Sequence, residues 1–223
     1  LNCIFCSVAE GRGTVKERDF LVEKEYIVQE FEKLAAEKKH KVQACINPQG
    51  EPLVYPRIVE LVRDLKSLDK VELVSINTNG TLLSEELIDK LADAGLDRLN
   101  ISLNAMDKKL ADKLEGKQYP LKHVLEMIEY ANKKIDVLIA PCIIPGLNDN
   151  QVEKLVVFAK NLKSRWPVLG FQNYLLYRKG RRIAKQRSFD DFFSMLHGFE
   201  KKYDIILTPK PGKNPFGIHE TRP

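Results

Sequence analysis

The stretch Val71-Glu72-Leu73-Val74-Ser75-Ile76-Asn77-Thr78-Asn79-Gly80, followed after one short segment by Arg98-Leu99-Asn100-Ile101-Ser102-Leu103, decides the fold. Residues 71–77 read as a strand and Thr78-Asn79-Gly80 as the turn that ends it. The Ser84 hydroxyl stands where it can cap a helix over 85–94, and Gly95 closes that helix. Residues 98–103 then form a second strand. Two strands joined through a helix must run parallel, with a right-handed crossover.

The same unit repeats in both directions. Upstream, residues 20–39 carry apolar side chains at helical spacing, with Leu21, Tyr26, Ile27, Phe31 and Leu34 as the apolar positions. A strand over 42–47 follows, then the turn Pro48-Gln49-Gly50-Glu51-Pro52 and a helix over 55–68. Downstream come helical patterns at 107–115 and 121–133, and a long apolar strand at 135–144 stopped by Pro145-Gly146-Leu147-Asn148-Asp149. A helix over 151–163, a strand around 169–176, a helix over 189–202 and a short strand at 205–208 complete about six βα repeats. The sheet either curls into a barrel or stays open and doubly wound, and in both cases ligands bind at the carboxyl ends of the strands.

Composition sets the bounds. With 223 residues, 43% of them hydrophobic, the chain can bury a core as one domain. Residues 1–208 read as that domain and 209–223 as a tail. Leu1 and the uncapped 215–223 stretch read as cuts, so the natural protein is expected to be longer. No apolar run approaches the roughly 18 residues of a membrane span and none resembles a secretory signal, which predicts a cytoplasmic protein with no membrane partner. The net charge of +5 is spread through mixed signs, except at Arg178, Lys179, Arg181, Arg182, Lys185 and Arg187, which have no acidic residue among them. Of the four cysteines, Cys3 and Cys6 form a close pair suited to metal or redox chemistry, whereas Cys45 and Cys142 lie in apolar runs and read as small buried thiols.

Every distinctive turn falls at a strand's carboxyl end or before the first helix. The cysteine pair, Gln49-Gly50-Glu51-Pro52, Thr78-Asn79-Gly80, Ser102-Leu103-Asn104 and Pro145-Gly146-Leu147-Asn148-Asp149 would together rim one opening. On these residues the chain resembles the radical S-adenosylmethionine (radical SAM) family. Leu1-Asn2-Cys3-Ile4-Phe5-Cys6 is similar to the tail of its signature, C-x3-C-x2-C, whose first cysteine would lie two residues upstream of Leu1. Gln49-Gly50-Glu51-Pro52 resembles the family's Gly-Gly-Glu-Pro motif with Gln49 in place of the first glycine. The runs from Asn77 to Leu83 and from Ala94 to Ala105 are similar to the barrel core of the molybdenum-cofactor biosynthesis branch. The resemblance covers about residues 1–165.

The resemblance implies an α/β fold, a partial (β/α)6 TIM-like barrel, and an enzyme in which Cys3 and Cys6 are two thiolate ligands of a [4Fe–4S] cluster. Three thiolates on a short loop leave the fourth iron without a protein ligand. There the amine and carboxylate of S-adenosylmethionine are implied to bind, so that one electron breaks the adjacent C–S bond and yields a 5′-deoxyadenosyl radical. By matching positions, Gly50, Glu51 and Pro52 would meet the methionyl amine, largely through backbone carbonyls. Thr78, Ser102 and Asn104 would serve the carboxylate and ribose, and the Phe5 backbone and the Ile143 side chain would contact adenine, core packing being the other role for Phe5 and Ile143. A ferredoxin- or flavodoxin-like electron donor is implied as partner.

The basic stretch, with Tyr174 and Tyr177 nearby, points to RNA as a substrate through Tyr177, Arg178, Arg181 and Arg182, because cations beside aromatic rings hold phosphate and stack bases. A cofactor-biosynthesis or peptide-modifying activity is the alternative within enzymes. A zinc module on Cys3 and Cys6 is the non-catalytic one, and it lacks a second ligand pair at short spacing. His40, His123 and His197 read as solvent-exposed, and His219 has no evident partner.

Overall fold

In the computed structural model the described residues are 1–6, 21–116, 118–163, 165, 167–177 and 180–208. The tail at 209–223 with His219, and Arg178 with Lys179, lie outside them. Helix α1 (Lys24–Ala36) precedes β1 (Val42–Ile46), α2 (Ile58–Lys66), β2 (Val71–Thr78), α3 (Glu85–Asp93) and β3 (Arg98–Ile101). Then follow α4 (Lys108–Glu115), α5 (Leu121–Ala131), β4 (Asp136–Ile139), β5 (Cys142–Ile143), α6 (Val152–Ala159), β6 (Gln172–Asn173) and α7 (Phe189–Tyr203).

Strands β1 to β4 form a parallel sheet in chain order, the arrangement that successive right-handed βα units produce. The parallel pair β5–β6 continues the series, since Ile139 also bridges to Leu169 beside β4. Helix α2 packs on β2, α5 on β4, and α3 touches both α2 and α5. The fold is thus of the α/β type expected from the repeats, consistent with the partial barrel that the resemblance implies. The capping is as predicted at α3, where Ser84 Oγ accepts from Leu87 N at 3.2 Å, and Gly95 leaves the helix at φ 89°.

Register divides each strand into two chemistries. Val74 and Ile76 of β2, Leu99 and Ile101 of β3, and Val137 and Ile139 of β4 are wholly buried on the face the helices cover. Each such side chain contributes roughly 1.5–3 kcal/mol on leaving water. The opposite face carries Gln43, Cys45, Ser75, Asn77, Arg98, Asn100 and Asp136, because successive residues alternate sides. Gln43 Nε2 donates to Ser75 Oγ at 2.7 Å, and Asn100 Nδ2 to Asn77 Oδ1 at 2.6 Å. Parallel sheets usually bury apolar residues on both faces, whereas here the second face is mostly polar, with Leu73 and Leu138 as its apolar members.

Several expectations are corrected. The 135–144 strand is broken into β4 and β5 at Ala140-Pro141, where proline has no N–H to give a ladder. The 169–176 strand shortens to β6. Residues 205–208 form no strand: the Glu200 carboxylate accepts from Leu207 N at 2.6 Å and Thr208 N at 2.7 Å, satisfying those amides without a neighbouring strand. Helix α1 begins only at Lys24; its core-facing residues are Ile27, Val28, Phe31 and Ala35, while Tyr26 and Leu34, and Leu21 ahead of the helix, are exposed. Cys45 is exposed, not buried, because it points to the polar inner face. Cys142 is half-buried; burial, and then the nearby Glu115, push its thiol up to about 12.

One buried side chain ties the broken strand together. Asn148 is fully buried; its Nδ2 donates to the carbonyls of Asn104 and Cys142, both at 2.9 Å, and its Oδ1 accepts from Ile144 N at 2.7 Å. Replacing Asn148 with Ala leaves three buried backbone groups without partners, which should cost about 2–4 kcal/mol in a denaturant melt. A loss below about 0.5 kcal/mol would show that water replaces the amide there.

Candidate active site

The cysteine loop is docked, not dangling. Asn2 N donates to Glu115 O at 3.2 Å and Ile4 N to Leu114 O at 2.9 Å, so the loop uses carbonyls left open at the carboxyl end of α4. Cys6 N donates back to Cys3 O at 3.3 Å, which folds both thiols into one turn. Gly116 follows α4 at φ 106°, and a Cβ there would stand 3.2 Å from Asn2 N. On the other side, Arg181 Nη1 donates to Cys3 O at 2.8 Å, Arg181 Nη2 to Asn2 Oδ1 at 2.7 Å, and Arg181 N to Cys6 O at 3.4 Å.

Beneath the loop lies a buried carboxylate. Glu115 is 2% exposed; its Oε2 accepts from Cys3 Sγ at 2.9 Å and its Oε1 from Asn104 Nδ2. Asn104 is itself buried, and its Oδ1 accepts from Cys142 N at 2.6 Å. Burial raises the Glu115 carboxyl above the usual range despite these bonds. The Cys3 thiol is driven well above its ordinary value, first by burial and then by Glu115.

A second hub joins the ends of β1 and β2. Glu51 Oε1 accepts from Thr78 Oγ1 at 2.6 Å and Leu53 N at 3.1 Å, while Oε2 accepts from Asn79 N at 2.9 Å. Thr78 Oγ1 in turn accepts from Gly80 N at 3.0 Å. Tyr119, whose hydroxyl is held up by burial, donates to Asn79 O at 3.1 Å and closes this side. Gly50 sits at φ 120°, a conformation that favours glycine. Among the described residues, the carbonyls of Gln49 and Gly50 accept no hydrogen bond. Ser102 N donates to Thr78 O at 2.9 Å, and its half-buried hydroxyl has no partner among the described residues.

The structure therefore gathers the expected residues into two hydrogen-bonded groups at the carboxyl ends of the strands: Cys3 and Asn104 through Glu115, with Cys6 in the same turn as Cys3, and Glu51, Thr78 and Ser102 beside Gly50 and Pro52. Within them, Glu51, Thr78 and Asn104 spend their polar atoms on the protein, whereas Ser102 and the 49–50 carbonyls are available. Phe5 is half-buried against the core. Ile143 is fully buried among Val152, Phe192 and Leu196. The basic stretch is dispersed: Tyr177, Arg182 and Lys185 are exposed, Arg181 grips the cysteine loop, and Arg187 pairs with Asp149. His123 is corrected from exposed to half-buried, its Nε2 bonding the Leu83 carbonyl at 2.9 Å, while His40 and His197 are exposed as expected. Sequence reading missed Glu115, Tyr119 and Gly116, and had Asn148 only as part of a turn. Only Gly116, just past a helix, carried a local signal.

The donor set suits an iron–sulfur cluster in part. Both thiols are free and half-buried, and they share a turn at the strand ends. Among the described residues no group of three or more His, Cys, Asp or Glu side chains could hold a metal ion, so the four-ligand set of structural zinc is not formed there. Soft thiolates on one tight loop match two corners of a cubane.

Fold and rim together define a βα partial barrel with a thiol pair on its carboxyl edge. Residues 1–159 match the model of the Radical SAM superfamily, and the chain belongs to that superfamily. It is 36% identical to the uncharacterized protein MJ0103 of Methanocaldococcus jannaschii, across the whole of this chain and 57% of that protein. It is also 35% identical to a GTP 3′,8-cyclase of Microcystis aeruginosa over 53% of this chain and 36% of the cyclase. Among solved structures, Streptococcus suis SuiB bound to S-adenosylmethionine shares the fold with a TM-score of 0.73 at 19% identity, over 92% of this chain and 46% of SuiB. The chain spans about half the length of the curated relatives it matches. No described helix is long and apolar enough to cross a membrane.

Gly116→Ala tests the docking of the loop. A side chain at positive φ costs on the order of 1–2 kcal/mol, and the added carbon must push Asn2 aside. Thermal melting should show that loss, together with faster amide exchange at residues 2–6; unchanged exchange would contradict the close packing.

Proposed function

We propose that this chain is the catalytic barrel of a radical SAM enzyme, with Cys3 and Cys6 as two ligands of a [4Fe–4S] cluster and S-adenosylmethionine on the ends of β1, β2 and β3. The supporting observation is the thiol pair pinned on the same rim as the free Ser102 hydroxyl and the open 49–50 carbonyls. When bound, these groups supply one-electron cleavage of a sulfonium C–S bond and a 5′-deoxyadenosyl radical. The chain's own part is binding and orientation. The Gln49 and Gly50 carbonyls accept the methionyl ammonium, on an edge whose shape Glu51 and Thr78 fix from behind. Ser102 donates to the carboxylate or ribose, the Phe5 backbone lies beside adenine, and Asn104 acts by holding Glu115 and Cys142. The electron comes from a ferredoxin- or flavodoxin-like protein in the cytoplasm.

The substrate in this reading is a small polar molecule seated on the inner face, where the amides of Gln43, Asn77 and Asn100 can each donate and accept. The similarity to a named nucleotide cyclase agrees with a substrate of that size. A second reading, RNA modification, is favoured by the exposure of Tyr177, Arg182 and Lys185 in one segment. It predicts salt-sensitive retardation of tRNA or rRNA by the full-length protein, weakened several-fold in a double Arg182→Glu, Lys185→Glu variant. Absence of any shift at low salt removes RNA and leaves the small substrate.

The test of the cofactor assignment is anaerobic reconstitution of the full-length protein. Wild type should bind about four irons per chain and, with a strong reductant, release 5′-deoxyadenosine. Cys3→Ala should keep its fold by circular dichroism and release none, a drop of at least a thousandfold. Retained cleavage in Cys3→Ala would overturn the ligand assignment.

A further inference from the structure

The strongest feature not used above is the grip of Arg181 on the cysteine loop. We propose that Arg181 is a positioning residue for the cluster, a second clamp that holds the Cys3–Cys6 turn in its ligating shape and places a permanent cation beside it. The inference rests on the assignment of Cys3 and Cys6 as cluster ligands.

Three observations carry it. The guanidinium reaches across almost the full chain to bond Cys3 O at 2.8 Å, Asn2 Oδ1 at 2.7 Å and, more weakly, Asn2 O at 3.5 Å. The backbone of the same residue adds a bond from its N–H to Cys6 O at 3.4 Å, so both ligand residues are held by one amino acid. That backbone is in turn fixed from the core. Tyr174 is 2% exposed at the end of β6; its hydroxyl donates to Arg181 O at 2.6 Å and accepts from Ile183 N at 3.2 Å. Strand end, buried tyrosine, arginine and cysteine turn thus form one rigid connection.

The residue type matters. A planar fork addresses two acceptors in a fixed relation, which the single ammonium of lysine cannot do. The α4 carbonyls hold the loop through Asn2 and Ile4, whereas Arg181 holds it at Asn2, Cys3 and Cys6. Among the described residues, Arg181 is the hydrogen-bonding partner of the turn on the side away from α4. The charge has a separate consequence. Reducing a thiolate-ligated cluster adds negative charge, and a nearby cation favours that form, making reduction easier. Groups that orient ligands in this way commonly change metal retention by 10–100-fold when removed.

The experiment uses the full-length protein as wild type, Arg181→Gln, Arg181→Lys and Tyr174→Phe, with melting curves to confirm folding. Hydrogen exchange at residues 2–6 is measured before any metal is added; iron per chain and the reduction midpoint, followed by electron paramagnetic resonance, are measured after anaerobic loading. Both Arg181 variants should exchange at least about tenfold faster in the loop and retain less iron. Arg181→Gln should have a more negative midpoint than Arg181→Lys, which keeps the charge. Tyr174→Phe should loosen the loop to a smaller degree, and it decides the matter if the Arg181 variants do not fold. Wild-type exchange, iron and midpoint in folded variants would overturn the clamp. If wild type itself binds no cluster, the cofactor assignment fails, and the exchange arm still judges the clamp by itself.

Discussion

A carboxylate removed from water has to be hydrogen-bonded, and Glu115 meets that demand with partners from two distant parts of the chain. One oxygen takes the Cys3 thiol and the other takes the Asn104 amide, while its backbone carbonyl takes Asn2 N. The first loop and the end of β3 are therefore fixed relative to each other by a single side chain. Everything proposed for the rim assumes that relation. Asn104 extends it to the break between β4 and β5, where Asn148 continues the bonding.

The rim has a division of labour that follows from its chemistry. Side chains with the most hydrogen-bonding capacity, Glu51 and Asn104, face inward and shape the backbone. The groups left available are a serine hydroxyl and two backbone carbonyls. Backbone acceptors cost no side-chain entropy to fix, so a site built on them is organised before any ligand arrives. The polar inner face of the sheet leads away from the rim, with the amides of Asn77 and Asn100 paired across β2 and β3.

Much of this architecture was legible in the residues. The βαβ period from Val71 to Leu103, the cap at Ser84 and the exit at Gly95 were all local signals, and local signals survive folding. The breaks were not. Pro141 within an apolar run looked like strand because the run is apolar throughout, and only the pairing with β6 shows where the ladder stops. Residues 205–208 had strand composition, yet strand formation needs a neighbour, and Glu200 supplied their partners instead. Cys45 looked buried since its neighbours are apolar, but alternation turned it to the polar side.

The sequence by itself determined the parallel α/β order, the carboxyl-edge placement of the distinctive turns and the thiol pair, because each depends on spacing within a few residues. Tertiary structure alone decided that Glu115 lies under Cys3 and that Arg181 belongs to the cysteine loop and not to an open basic surface. Those contacts join residues separated by 112 and 178 positions. A charged side chain in a helix tail or a basic loop reads as solvated until the fold brings a partner to it, and no periodicity encodes that meeting.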